Sequence, residues 1–270
     1  MKDKLKLGFI VIVSLIIALV FLELRFERIV RAEGGRLEAT KKISWHPAFQ
    51  ENGATIIPGS VQVDFGRLEI RWIIPAKGIA RLVTMEPSGS AELPPREKKL
   101  LLWAGKRGSI VLFQEWLPLL NVKELAVIRP VVTVSTTDLF SVLPKTKLPP
   151  VAKLDKTPQT IAWERSYVKG DTMYLPGSLR ASFGRLNIYW RKRSAGIPEL
   201  ITVESSGSGE LPPREVRLYI WADEKDGSST IFQERQPLLN QGITSYLWPL
   251  ATVRTDELMA GFRQMEDDSR

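Results

Sequence analysis

The chain has 270 residues, 44% hydrophobic and 25% charged, the proportions of a folded protein with room for one or two domains. It holds no cysteine and a single histidine, His46, which excludes disulfides and thiolate chemistry and leaves too few imidazoles for a histidine-ligated metal or a His-based triad. The net charge of +8 is uneven: +4 in residues 1–42, +2 in 43–139, +3 in 140–160, zero in 161–258 and −1 in 259–270. The excess sits beside an apolar segment and in a linker, so nucleic acid is not an expected partner, and no cofactor is implied.

Taken in chain order, residues 1–6 read as a cytoplasmic N-terminus with Lys2, Lys4 and Lys6, and 7–24 as a transmembrane signal anchor. Leu7 to Leu22 is free of charge, and the run spans about 24–27 Å, a shortfall that Lys6 and Arg25 cover by snorkelling. No small-x-small pair follows the run, where Val20, Phe21, Leu22 and Glu23 stand, so an uncleaved anchor is favoured over a signal peptide. Arg25, Arg28 and Arg31 on the far side weaken the orientation signal but leave the remainder outside, in a bacterium the periplasm. A juxtamembrane segment, 25–42, follows.

The rest is a duplication. An offset of 118 aligns 43–107 with 161–225, and after the extra Asp226 an offset of 119 aligns 108–139 with 227–258; 42 of the 97 positions are identical. Pro58-Gly59-Ser60, Phe65-Gly66-Arg67-Leu68 and Glu92 to Glu97 recur as Pro176-Gly177-Ser178, Phe183 to Leu186 and Glu210 to Glu215. The chain thus reads as module 1 (43–139), a Pro/Lys-rich extended linker (140–160), module 2 (161–258) and a polar tail (259–270).

Period-2 alternation dominates both modules. Val61, Val63 and Phe65 share one face; Leu68, Ile70, Trp72 and Ile74 continue in the opposite phase, which predicts a bulge or bend at Gly66-Arg67 inside one long strand. Further strands are expected near 79–86, 98–104, 109–115 and 125–135 and their counterparts, with Pro87 to Pro95 a loop. Only Thr255 to Met265 hints at helical periodicity. The expected fold is all-β: an N-terminal transmembrane helix, then two tandem homologous modules of about five strands each, sandwich-like or half-barrel grooves with one apolar face.

Candidate contact residues are of two kinds. The turns Ser88-Gly89-Ser90 and Ser206-Gly207-Ser208, each leading to Arg96 or Arg214, are alike in segments that packing does not constrain, and the arginines suit an anionic group or a partner. Trp45 and Trp163 are aromatic-platform candidates, with core packing as the competing reading; Trp72, Trp190, Trp103 and Trp221 fall in phase with aliphatic neighbours and read as core. Glu92/Glu97 and Glu210/Glu215 are the one enzymatic option, as acid–base pairs, against the commoner role of surface acids. His46 aligns with Glu164 and reads as a surface residue. No catalytic or metal-binding residue is assigned.

The anchor, a tryptophan and then Phe65-Gly66-Arg67-Leu68-Glu69-Ile70-Arg71-Trp72 resemble protein N of the bacterial type II secretion system. That resemblance implies an inner-membrane accessory protein with a periplasmic β-rich part. The Trp45 element lacks that family's adjacent glycine, and the tandem modules depart from it. Leu117 to Asn121 running into Leu125 to Val134, interrupted at Arg129-Pro130, is similar to AsmA-like envelope proteins, which implies lipid handling. The expectation is a non-enzymatic envelope scaffold with the bilayer, other envelope proteins and phospholipid as partners; a lipid-binding groove and a carboxylate hydrolase are the alternatives.

Overall fold

A computed structural model describes residues 40–268, apart from 65, 87–94, 118–125, 144–146, 195, 206–211, 224–225 and 237–243. The anchor read at 7–24 lies outside the described residues, among which no helix is long and apolar enough to cross a membrane. Two compact units divide the chain, Met1–Arg36 and Leu37–Arg270, and all described residues belong to the second.

Module 1 is one antiparallel meander: β3 (Ala54–Val63), β4 (Gly66–Pro75), β5 (Arg81–Glu86), β6 (Arg96–Lys106), β7 (Ser109–Trp116) and β8 (Val127–Ser135), each paired with the next. The short β1 (Ile43–Trp45) and β2 (Phe49–Glu51) both pair with β3, and α1 (Thr136–Phe140) follows β8. The lead-in segment ties the two ends of the meander together. Lys41 bridges Val134 of β8 in parallel, and two residues later Ile43 faces Val61 of β3.

Module 2 repeats this arrangement. Its strands are β9 (Pro158–Gln159), β10 (Ala162–Trp163), β11 (Tyr167–Lys169), β12 (Thr172–Ala181), β13 (Gly184–Arg193), β14 (Glu199–Glu204), β15 (Arg214–Asp223), β16 (Ser228–Arg235) and β17 (Tyr246–Arg254). β9 pairs in parallel with β17 and β10 pairs antiparallel with β12, so one lead-in segment again joins first strand to last. Each module is therefore a barrel-like ring of six long strands, whose sheet edges are covered by its own lead-in.

Three expectations about the strands are corrected. The phase change at Gly66 is no bulge: Val63 faces Gly66 and Val61 faces Leu68, so the chain reverses between β3 and β4 in a two-residue hairpin. Gly66 and Gly184 leave that turn at φ +133° and +124°, where an L side chain is strained. The strand through Pro130 is not interrupted. It continues past a register shift at Leu112/Phe113, matched at Ile231/Phe232 opposite Pro249, where a bulge tolerates the missing N–H of proline. Finally, the sheets are not apolar on one face only. Leu100 and Leu102 point into the first ring while Leu101 and Trp103 point out of it, and both sets are buried.

The ring interior of module 1 holds Val61, Ile70, Trp72, Leu82, Ile110 and Leu112, closed at one end by Leu139 and Phe140 of α1 and by Leu143. In module 2 the stopper is α2 (Thr255–Asp268), which runs through the segment read as a polar tail and buries Leu258, Phe262 and Met265. Trp72 Nε1 donates to the Leu139 carbonyl at 3.1 Å, an oxygen left free because α1 ends one residue later. Trp190 is equally buried, but α2 continues beyond the matching Leu258, and Trp190 Nε1 has no partner among the described residues.

The recurring Pro-Gly-Ser run has a packing explanation. Trp45 lies against Gly59, where an added Cβ would stand 2.4 Å from Cε3, and Trp163 lies against Gly177 at the same 2.4 Å. Their Nε1 atoms donate to Asp138 O (2.9 Å) and Glu257 O (3.1 Å), which pins each indole between a strand glycine and a helix. Gly261 of α2 meets Trp163 as well, with a Cβ placed 2.3 Å from Cε2. Alanine would add about 1 kcal/mol of helix propensity there, against roughly 1–3 kcal/mol for overpacking a pinned ring. Gly261→Ala is therefore expected to lower the thermal midpoint despite better propensity; an unchanged or higher midpoint would show that Trp163 gives way freely.

Candidate functional site

The two rings meet through their outer faces. Leu101, Trp103, Val111, Phe113 and Ile128 of the first pack against Trp221, Phe232 and Leu247 of the second. Trp103 and Trp221 lie 6.1 Å apart between centroids, with Phe113 and Phe232 edge-on to them. The linker is part of this junction. Ala152 is 4% exposed, its N–H donates to Ala104 O (2.8 Å), its carbonyl accepts Trp103 Nε1 (3.0 Å), and Leu154 joins the shared cluster. The extended linker is thus docked across the seam.

Charges at the rim repeat the symmetry. Lys99 pairs with Glu234, and their duplicates exchange roles: Arg217, which aligns with Lys99, pairs with Glu115, which aligns with Glu234. Reciprocal contact of like patches is the signature of an isologous two-fold interface, here within one chain. Inside each module Gln114 binds Glu86 and Gln233 binds Glu204, again at matching positions. Burial pushes the Tyr219 hydroxyl well above the usual phenol range, and the Glu234 charge beside it adds to the rise. A stacked pair survives with its members swapped: Arg129 lies over Trp116 (4.5 Å), and Arg235 lies over Trp248 (4.6 Å), each tryptophan aligning with the other pair's arginine. The aligned sequences contained that exchange, which is visible only when substitutions are read in pairs.

The candidate residues land in different places. Ser88, Gly89, Ser90, Ser206, Gly207 and Ser208 lie outside the described residues, as do Glu92 and Glu210. Arg96 and Arg214 open β6 and β15, exposed, opposite Glu86 and Glu204. Trp45 and Trp163 are half-buried, with their Nε1 atoms satisfied inside the fold. Glu97 lies 3.7 Å from Arg81. Glu215 pairs with Arg191 and accepts from the Tyr174 hydroxyl at 3.1 Å. His46 is exposed, with its backbone N–H on Pro58 O.

The densest polar cluster went unread in the sequence. On the outer face of β13–β15, Arg191 pairs with Glu199 and Glu215, and Glu199 lies 3.6 Å from Arg217, which reaches Glu115 of the other ring. Burial works against the Arg191 charge, but the hydrogen bonds it donates to both carboxylates, and their charges, outweigh this and raise its pKa. On the matching face of module 1, Ile56, Ile73 and Val83 form a small apolar cluster, bordered by the Arg81–Glu97 pair. Carboxylates held this way join strands and rings. Among the described residues no group of three or more His, Cys, Asp or Glu side chains is placed to hold a metal.

One cleft, of about 280 Å³, runs beside the linker and is lined by Lys153, Asp155, Gln159, Arg180, Ser182 and Thr252 among others. No family model, no curated protein and no solved structure matches this chain.

Proposed function

We propose that this chain is a non-enzymatic protein of the cell envelope, held in the inner membrane by residues 7–24 and presenting two rigid barrels on the periplasmic side as a scaffold for other envelope proteins. One observation carries the reading: both rings are filled by their own side chains and fused through a shared aromatic core, which leaves the outer surface as the working part. The resemblance to the secretion-system protein points the same way, toward an accessory role. A lipid-transfer groove needs an open apolar trough, whereas the inward residues here pack against one another and against α1 or α2. The hydrolase reading loses Glu215 to its pairing with Arg191 and Tyr174.

Full-length chain purified in mild detergent is expected to carry a fixed set of envelope proteins, identified by mass spectrometry. Phospholipid as the sole stoichiometric companion would favour the groove and overturn the scaffold. A reporter active only outside the cytoplasm, fused after Arg270, is expected to be active; a silent reporter would reverse the assigned orientation.

A further inference from the structure

The duplication supplies an internal control, because two copies of one hairpin can be compared on one fold. In module 1 the tip of β3–β4 and its flanks (residues 62–69) carry Asp64, Arg67 and Glu69, a net charge of −1. Those charges are matched locally: Lys41 lies 3.2 Å from Asp64, and Arg67 lies 2.7 Å from Glu69. In module 2 the aligned residues 180–187 carry only Arg180 and Arg185, a net charge of +2. Gln62, Asp64 and Glu69 have become Arg180, Ser182 and Asn187, so all three changes run in the positive direction. Gln159 stands where Lys41 stood, which removes the tie that the missing acid would have needed.

Around this tip lie further groups of the same character. Phe183, in the turn itself, is 58% exposed. Arg180 and Ser182 share the cleft with Lys153 of the linker and with Asp155, whose carboxylate accepts from the Thr157 N–H at 2.9 Å. Arg180, Arg185 and Lys153 have no ion-pair partner among the described residues. A protruding aromatic ring flanked by unpaired cations suits the boundary of an anionic bilayer, where the ring enters the headgroup layer and the cations meet phosphates.

We propose that the β12–β13 tip, with Arg180, Phe183 and Arg185, together with Lys153 of the linker, is a contact site for anionic lipid headgroups. The proposal rests on the membrane-tether reading, since the anchor is what holds the barrels at a bilayer. Attraction to the surface makes each lost arginine cost about fivefold in occupancy, and salt weakens the contact.

The chain has no cysteine, so a single Ser182→Cys carries a fluorophore cleanly. Full-length protein labelled there is reconstituted into phosphatidylcholine vesicles, with or without phosphatidylglycerol, containing a spin-labelled lipid quencher. Gln62→Cys, at the matching hairpin of module 1, is the control. Strong quenching at 182 in anionic vesicles, weak quenching at 62, and loss of the difference with Arg180→Glu or Phe183→Ser are expected. Equal quenching at both positions, or none at 182 on anionic lipid, overturns the proposal, as does a response at 182 to added DNA but not to lipid. Flotation of the same samples with neutral vesicles reports the anchor separately. A chain that floats with neutral vesicles but stays unquenched at 182 on anionic ones refutes the contact site alone, and a chain that fails to float refutes the tether.

Discussion

Replacing Trp103 with alanine is expected to destabilise the protein by about 3–5 kcal/mol and to split its unfolding into two transitions. Trp103 is 7% exposed and touches Phe113, Trp221 and Phe232, so truncation removes the centre of the inter-barrel core. It also strands the Ala152 carbonyl that its Nε1 satisfied, freeing the linker at the point where it crosses the seam. The two barrels have separate interiors, and this seam is the largest apolar contact between them, joined by the reciprocal pairs at its rim and by the Thr244 hydroxyl on Ala80 O at 2.8 Å. Thermal unfolding followed by near-ultraviolet circular dichroism would show one transition in the parent and two in the variant. A single transition displaced by less than about 1 kcal/mol would mean that the barrels are coupled elsewhere, since a well-packed tryptophan cannot be removed so cheaply. Charge reversal at Lys99 is a milder probe of the same seam, because Lys99 is 42% exposed and solvent screens the pair.

Why some of this was legible from residues and some was not follows from how each feature is encoded. Repetition is written in identities, so the two modules and their offset stand out without any structural knowledge. Face assignment is written in alternation, and Ile70, Trp72 and Leu82 point inward as their phase requires. The hairpin at Asp64 was missed because a bulge and a two-residue reversal produce the same phase change, and Asp-Phe lacks the Asn-Gly chemistry that marks tight turns. The second buried face was written plainly in the unbroken apolar runs Leu100 to Ala104 and Ile110 to Phe113, which a strand buried on one side does not need. The α2 stopper carries its apolar residues at Leu258, Phe262 and Met265 amid acids, a spacing that reads as a stripe only once a barrel end is known to await it. Pairing partners across the seam are beyond reach of sequence reading. Lys99 and Arg217 keep their sign, as do Glu115 and Glu234, but nothing local says that each cation chooses the acid of the other copy.

The polar cluster around Arg191 can be tested by giving module 2 the solution that module 1 already uses. Arg191→Ile alone leaves Glu199 and Glu215 without their shared cation. Breaking a buried pair costs roughly 3–5 kcal/mol, and because the two carboxylates are partly exposed the expected loss here is nearer about 2 kcal/mol. At the aligned positions module 1 has Ile56 for Tyr174, Ile73 for Arg191 and Arg81 for Glu199, with Arg81 facing Glu97 at 3.7 Å. The triple variant Tyr174→Ile, Arg191→Ile, Glu199→Arg rebuilds that set around Ile201, and the arginine at 199 then takes up Glu215. Arg217 loses its contact with Glu199 but keeps Glu115, so the seam survives. Because replacing a buried ion cluster by apolar side chains is often close to neutral, the triple variant is expected to return to within about 1 kcal/mol of the parent in denaturant unfolding. A single substitution as stable as the parent would show the guanidinium to be idle. A triple variant no better than the single one would mean that the two barrels, alike in backbone, impose different requirements on the same face.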